Sequence, residues 1–373
     1  MSKKIIITVG GTGGHVYPAL ALAKQLSKAD PSVQLLFVGG NLHQNRYFDR
    51  NVHAYESVSC GPVSRSNLLR TLQSTGKIIK GMWQSHRIMK TFNPDLVVGF
   101  GSYYTFPTLL AAKLSSVPFL LHEANSTPGK VNKLLSKYAL TTGIHFPEVA
   151  RSLNGKTVEV GMPLREGYAL GSVSRKQALD YFSLGSDKVT LLVFGGSQGA
   201  LVINELVVKA LTGSFDGKVD QIQVIHITGD KQQTARIEEA YAKVGIAACV
   251  KDFEHKMDLA WQATDLMISR AGAGTIAEQM EFEVPGILIP YPEATDKHQD
   301  KNADFIAKKV GGAICCSEAS LTPQILAQKI ELIINHDHIL IRTMRQAIRE
   351  YNQRQGKTDL CSLILHLVEK HKK

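Results

Sequence analysis

Apolar residues in this chain fall into short unbroken blocks that alternate with stretches of helical spacing. Ile5 to Val9 is such a block, Gly10-Gly11-Thr12-Gly13-Gly14-His15 is a glycine loop, and Val16 to Ala29 carries its apolar residues at helical intervals. That succession predicts a strand, a tight loop and a helix. Further strands are expected at Gln34 to Val38, Leu96 to Phe100, Phe119 to His122 and Thr141 to Phe146, with helical segments between them. Unbroken apolar strands separated by helices imply a parallel sheet covered on both faces.

The pattern pauses near Val158-Glu159-Val160-Gly161-Met162-Pro163-Leu164-Arg165 and resumes at Lys188. Leu191 to Phe194 then runs into Gly195-Gly196-Ser197-Gln198-Gly199-Ala200 and a helix, so the second half opens like the first. Strands follow at Gln223 to Ile227, Ala248 to Asp252, Asp265 to Ser269 and Gly286 to Pro290. The expected fold class is therefore α/β, with two doubly wound parallel-sheet domains facing each other across a cleft. The expected bounds are 1–163 for the first domain and 164–347 for the second. A last helix, about 348–373, is expected to pack back on the first.

Composition narrows the partners. At 373 residues, two domains are the natural division, and 44% hydrophobic with 20% charged residues suits globular domains. A net charge of +10 points to anionic ligands such as nucleotides, phosphorylated lipids or an anionic membrane. Nucleic acid is not expected, because no RNA-recognition signature, zinc-finger spacing or interleaved basic and aromatic run occurs. Five cysteines (Cys60, Cys249, Cys315, Cys316, Cys361), odd in number and without CxxC spacing, suit a reducing cytoplasm. The N-terminal apolar block is too short and too β-branched for a signal peptide. The longest uncharged run, Leu96 to Ala112, is broken by glycines and Pro107, which argues against a membrane span.

Several motifs can be set aside. The first glycine loop fails as a dinucleotide fingerprint, since its third position is Val16 and no acidic residue ends the second strand at Val38-Gly39-Gly40. Gly155-Lys156-Thr157 and Gly356-Lys357-Thr358 lack the earlier glycine of a P-loop, having Ala150 and Tyr351 there. No Asp-x-Asp triplet is present, and His336-Asp337-His338 reads as a solvated loop, so no metal is expected.

The central candidate site is Ser269-Arg270-Ala271-Gly272-Ala273-Gly274-Thr275-Ile276-Ala277-Glu278, which follows an apolar strand and opens a helix. Small residues let a ligand approach the backbone, and the first-turn amides lack intrahelical acceptors and attract anions. Glu278, one turn further in, suits the two vicinal hydroxyls of a ribose. The same residues also suit a plain strand-to-helix turn in which Glu278 favours the helix dipole. His15, at the positive end of a helix, is favoured as a neutral ring able to act as a base, or it caps or packs. Asn125, Gln299 and Arg165 lie at strand ends or in loops, where ligands bind in open α/β sheets. Arg65 to Lys90 mixes Leu68, Leu69, Leu72, Ile79 and Trp83 with cations; it suits an anionic membrane surface or an ordinary helix packed on its sheet.

Together these motifs resemble the MurG family of UDP-N-acetylglucosamine transferases across nearly the whole chain. The resemblance rests on Gly10 to Pro18, His122-Glu123-Ala124-Asn125, Gly161-Met162-Pro163-Leu164-Arg165, Gly195 to Ala200, Arg270 to Glu278 and Asp296 to Ala303. It implies the GT-B fold of two Rossmann-like domains and an inverting, cofactor-independent transfer of GlcNAc from UDP-GlcNAc. The acceptor implied is undecaprenyl-pyrophosphate-linked MurNAc-pentapeptide (lipid I), at the cytoplasmic face of the bacterial inner membrane. By motif, Thr12, Gly13 and Gly14 line the acceptor side, Asn125 touches GlcNAc, and Arg165 and Ser197 hold the diphosphate. Ala273, Gly274 and Thr275 bind donor through the helix start, Glu278 takes the ribose, and Gln299, or His298 in its place, reads the sugar hydroxyls. His15 is the candidate base, with Glu123 as its rival.

The chain departs from the family at Ala124, where Gln is frequent, at Ser102-Tyr103-Tyr104-Thr105-Phe106, where a glycine-rich run is usual, and at Phe253-Glu254 beside the expected uracil contact. The resemblance leaves open contact with the division or elongation machinery. A different GT-B enzyme, such as a glycolipid synthase or UDP-GlcNAc epimerase, or a non-catalytic UDP-sugar-binding module, would share the donor motifs.

Overall fold

In the computed structural model, which describes residues 2–62, 68–196, 199–215, 219–335 and 338–371, the chain divides into two compact units. One is Met1–Arg165 with Lys357–Lys373, and the other is Glu166–Gly356.

The first unit carries β1 (Lys4–Thr8), β2 (Gln34–Gly40), β3 (Tyr55–Val58), β4 (Leu96–Gly99), β5 (Phe119–Glu123), β6 (Thr142–Ile144) and β7 (Thr157–Glu159). They form one parallel sheet in the order β3-β2-β1-β4-β5-β6-β7. Side chains of a strand point alternately to its two faces, so a strand covered on both must be apolar throughout. Ile5 and Ile7 accordingly pack with Leu22 and Leu26 of the helix Gly13–Ala29 and with Ile364 and Val368 of the last helix, Leu360–His371. Ile6 packs on the other face with Val38, Val97, Met89 and Leu109. All three isoleucines are fully buried, each contributing about 1.5–3 kcal/mol.

The second unit repeats the plan with β8 (Val189–Phe194), β9 (Ile222–Ile227), β10 (Ala247–Lys251), β11 (Leu266–Ser269), β12 (Gly286–Leu288) and β13 (Ala313–Cys315), in the order β10-β9-β8-β11-β12-β13. In each sheet the strand order reverses beside the first strand, between β1 and β4 and between β8 and β11. The loops leaving the carboxyl ends of strands at such a point form a crevice. The glycine loops after β1 and β8, and the Arg270–Gly272 turn after β11, all lie at these points.

Three strands were not expected from the apolar pattern, namely β3, β7 and β13, and each is an edge strand. The course of the tail also differs from the expected one. The helix Ile339–Arg354 stays with the second unit, where Arg349 pairs with Glu283 at 2.7 Å and the Asn352 amide donates to Met280 O at 2.8 Å. The chain rejoins the first unit at Lys357 rather than near residue 348, and Thr358 bridges to Val160. Arg165 closes the first unit instead of opening the second.

Candidate functional site

In the first unit the loop after β1 turns through Gly11, whose φ of +87° lies in the left-handed region that side chains avoid. Thr12 is the N-cap of the helix Gly13–Ala29, whose first turn has no acidic residue. The amides of Gly13 and Gly14 therefore present the positive end of the helix, and no acidic residue of its first turn offsets it. His15 follows, its Nδ1 3.5 Å from Thr12 Oγ1. Its ring borders Gly101, as does Asn132: a methyl group on Gly101 would lie 3.5 Å from His15 Cδ2 and 3.4 Å from Asn132 Nδ2.

Glu123, the other acid–base candidate of this unit, is turned inward. It is 3% exposed and accepts from the Asn125 amide at 3.0 Å, the Gly129 amide at 2.9 Å and Asn132 Nδ2 at 2.9 Å. Burial pushes its carboxyl up, while those donors pull the other way. The carboxylate thus organises the turn that carries Asn125, a half-buried residue at the carboxyl end of β5. Asn132 also donates to His122 O at 3.0 Å, so one buried amide ties the helix Lys130–Leu135 to the end of β5. Burial drives the His122 imidazole down to about 3, and the nearby His15 adds to the shift.

His145, just beyond β6, is also buried, and neither ring nitrogen has a hydrogen-bond partner among the described residues. Burial holds it well below its ordinary 6.5, with Lys357 and His122 adding to the effect. The unfolded chain takes up this proton near the ordinary value and the native chain only at lower pH. Between the two the unfolded state binds more protons, so this group makes stability fall as pH falls. His145→Leu, an apolar replacement of similar size, is expected to flatten that fall below the ordinary value of 6.5, by at most about 1.4 kcal/mol per pH unit. Urea unfolding at three pH values reads the slope; an unchanged slope would mean that the native ring is already protonated.

Arg165 lies with its guanidinium 5.4 Å from the centre of the Tyr17 ring, one turn into the same helix. The segment before it is tied back by Gln25 Nε2, which donates to Leu164 O at 3.4 Å. Tyr104, within the run that departs from the family, sits on bare backbone: a methyl group on Gly10 would come 2.6 Å from its Cβ, and one on Gly40 2.5 Å from its Cδ1. A cavity of 270 Å³ opens beside it, lined in part by Gly11, Asn45 and Arg46.

In the second unit Gly196 and Gly199 turn the loop after β8 with φ of +85° and +71°. Ser197, between them, lies outside the described residues. After β11, Gly272 is the N-cap of the helix Ala273–Glu281. The first intrahelical bond is Ile276 N to Gly272 O at 3.0 Å, so the amides of Ala273, Gly274 and Thr275 point beyond the helix end. Gly274 has nothing within 4 Å of where a side chain would stand, which leaves room for a ligand. Further along, Glu278 Oε2 accepts from Trp261 Nε1 at 2.8 Å.

Gln299 lies on the helix His298–Asp304, its Oε1 accepting from the Tyr291 amide at 3.0 Å, which leaves the NH₂ end to donate. His298 uses Nδ1 to donate to Thr295 O at 2.8 Å. Asn302, buried on the same helix, donates to Ala271 O at 3.1 Å and so ties this helix to the turn before Ala273. Glu254 is buried on Lys251 and also accepts from the Lys256 amide at 2.7 Å, while Phe253 stands exposed beside it.

The structure thus gathers Thr12, Gly13, Gly14, His15 and Asn125 at the carboxyl edge of the first sheet. It gathers Ala273, Gly274, Thr275, Glu278 and Gln299 at the carboxyl edge of the second. Sequence motifs give no role to Asn132 and Trp261, which hold Glu123 and Glu278, and the Asp296 to Ala303 motif contains Asn302 without indicating that it holds the Ala271 turn. Asn132 and Trp261 sit in ordinary helical stretches, where the signal they leave is a polar atom among buried apolar neighbours.

Comparison with known proteins places residues 5–144 in the glycosyltransferase family 28 N-terminal domain and residues 190–362 in the family 28 C-terminal domain. A protein of Protochlamydia amoebophila (strain UWE25), named UDP-N-acetylglucosamine--N-acetylmuramyl-(pentapeptide) pyrophosphoryl-undecaprenol N-acetylglucosamine transferase, is 51% identical, covering 99% of this chain and 97% of the relative. A protein of the same name from Chlamydia felis (strain Fe/C-56) is 35% identical over 97% of this chain and 98% of its own. The crystal structure of Acinetobacter baumannii MurG superposes with a TM-score of 0.78 at 28% identity, covering 99% of both chains. A UDP-glucose: anthocyanidin 3-O-glucosyltransferase, solved in complex with UDP, shares the fold at 14% identity, with a TM-score of 0.69 and 99% of both chains covered.

Proposed function

The chain belongs to glycosyltransferase family 28, and from that premise we propose that it moves GlcNAc from UDP-GlcNAc to undecaprenyl-pyrophosphoryl-MurNAc-pentapeptide in peptidoglycan synthesis. The observation that carries this reading is the end-to-end match, at 51% identity, to a relative bearing that name. The fold is GT-B, two parallel sheets of seven and six strands among the described residues, each flanked by helices.

The reaction is a direct displacement. The C4 hydroxyl of MurNAc attacks C1 of GlcNAc, the bond from C1 to the diphosphate oxygen breaks, and UDP departs as the β-1,4 bond forms. His15 takes the hydroxyl proton. Negative charge grows on the leaving diphosphate, and fixed dipoles aimed at it lower the barrier because they need no reorientation. The Ala273, Gly274 and Thr275 amides supply those dipoles, with Arg165 and Ser197 assigned to the same charge. Glu278 takes the ribose hydroxyls, Gln299 the sugar hydroxyls and Asn125 the GlcNAc. Thr12, Gly13 and Gly14 line the acceptor side, which the departure from the family's glycine-rich run at Ser102-Tyr103-Tyr104-Thr105-Phe106 alters.

The test is labelled UDP-GlcNAc with a lipid I analogue. Labelled disaccharide lipid and one UDP per transfer are the expected products. Transfer to diacylglycerol alone would indicate a glycolipid synthase, and binding without UDP release a sugar-nucleotide-binding module.

Residency at the cytoplasmic face of the inner membrane is part of the same reading. The helix Leu68–Phe92 packs Ser74, Gly81 and Ser85 inward and turns Leu72, Ile79 and Trp83 outward, at 61%, 61% and 58% exposure. The carboxyl-terminal part of the helix covers the sheet through Met89, with Ile88 and Phe92 beside it, so the outward apolar residues form a second face that this packing does not use. Arg87 lies 4.8 Å from the Trp83 ring, and Lys80 and Lys90 share the exposed side. Apolar side chains rimmed by cations suit an anionic bilayer surface. No described helix is long and apolar enough to cross a membrane. Trp83→Ala with Ile79→Ala is expected to weaken binding to phosphatidylglycerol vesicles about tenfold, with donor affinity unchanged. Equal sedimentation of the double variant would remove this helix from membrane contact. Supply of the disaccharide lipid would link the protein to cell shape and division, whose machinery is a candidate partner.

A further inference from the structure

Trp261 is 1% exposed and lies on the short helix Met257–Ala263 of the second unit. Its ring stacks on Phe282, with centroids 6.1 Å apart and planes within 7°, and meets Phe194 edge-on at 5.6 Å. Phe282 ends the helix that starts at Ala273, and Phe194 ends β8 immediately before the Gly195–Ala200 loop. One side chain therefore braces both phosphate-facing elements of this unit. Packing alone would be served by a phenylalanine. The indole adds a single donor, and that donor is spent on Glu278 Oε2 at 2.8 Å.

A glutamate has three side-chain torsions, and a ligand that needs its carboxylate in one place must bear the cost of ordering them. A buried N–H donating to one oxygen settles the carboxylate beforehand. We propose that Trp261 is a positioning residue that orients Glu278 toward the ribose and thereby sets the preference for ribonucleotide over 2′-deoxyribonucleotide donors. The inference rests on the reading that Glu278 takes the ribose hydroxyls. It adds that the selectivity depends on an indole N–H which itself makes no contact with the nucleotide.

The experiment measures competitive inhibition of transfer by UDP and by 2′-deoxy-UDP, so that each variant yields a ratio of the two constants. In the wild-type protein UDP is the stronger inhibitor. Trp261→Phe keeps an aromatic ring in the stack and removes the donor. It is expected to raise the UDP constant and the donor KM roughly tenfold, while the 2′-deoxy-UDP constant, with only the 3′-hydroxyl left to the carboxylate, rises by less and kcat changes little. Placing β-(3-benzothienyl)alanine at position 261, which keeps the two-ring shape without an N–H, gives the same result and separates it from loss of fold. In a Glu278→Ala background the Trp261→Phe effect should vanish.

A merely structural tryptophan would lower the melting temperature and the active fraction but leave the ratio intact. If the ratio survives Trp261→Phe and the benzothienyl replacement yet collapses in Glu278→Ala, Trp261 is packing alone and the proposal is wrong. If the ratio survives Glu278→Ala as well, the ribose assignment fails and takes the proposal with it.

Discussion

His15→Ala is expected to lower kcat by about two to three orders of magnitude while the affinity for UDP-GlcNAc stays within roughly twofold. The expectation follows from where the ring sits. It stands at the amino end of the helix Gly13–Ala29, beside the amides of Gly13 and Gly14, in a first turn that contains no acidic residue. That field favours the neutral ring, the form that accepts a proton. The rival carboxylate is committed elsewhere, since Glu123 is 3% exposed and holds the amides of Asn125 and Gly129. Glu123→Gln should therefore reveal itself first as a loss of stability. The assay is steady-state transfer to a lipid I analogue at saturating donor, with calorimetry of UDP-GlcNAc binding in parallel. Unchanged turnover in His15→Ala would remove the residue from the chemistry, and a matching loss of donor affinity would make it a binding group.

Glu278→Ala is expected to raise the KM for UDP-GlcNAc by roughly a hundredfold with a much smaller change in kcat. Hydrogen bonds to a charged partner are worth about 1.5–3 kcal/mol each, and losing two ribose contacts amounts to about 3 kcal/mol after water replaces them. The alanine also strands the buried Trp261 indole, whose N–H loses its 2.8 Å acceptor, so a melting temperature must accompany the kinetics. A remote ribose contact is made equally in ground and transition states, which places its loss in KM rather than kcat. A normal KM would show that the carboxylate serves only the helix dipole and its tryptophan.

Most of the sheet architecture was legible in the sequence, because strands buried on both faces must be apolar along their whole length. Ile5-Ile6-Ile7 and Leu191-Leu192-Val193 announce themselves in this way, and all six residues are fully buried. Edge strands obey a weaker rule, since one side of each pairs with nothing in its own sheet. Tyr55-Glu56-Ser57-Val58 has two polar residues between its ends, and Thr157-Val158-Glu159 and Ala313-Ile314-Cys315 are only three residues long. The first two form no apolar block and the third is too short to be read as a strand, so only the neighbouring strand makes each of them one.

By itself the sequence determined the two-domain α/β plan, the glycine turns and the helix starts that offer amides to an anion. These depend on residues close together in the chain, where steric freedom and apolar periodicity act directly. Tertiary structure alone decided which polar side chains face a ligand and which face the protein. Glu123 and Glu278 both belong to motifs beyond strand ends or helix starts, yet one is enclosed by the amides of its own turn and the other is held by an indole 17 residues earlier in the chain. The outward turn of Trp83 and the return of the chain at Lys357 were settled in the same way. Each depends on what another segment brings alongside, and sequence spacing carries no record of that.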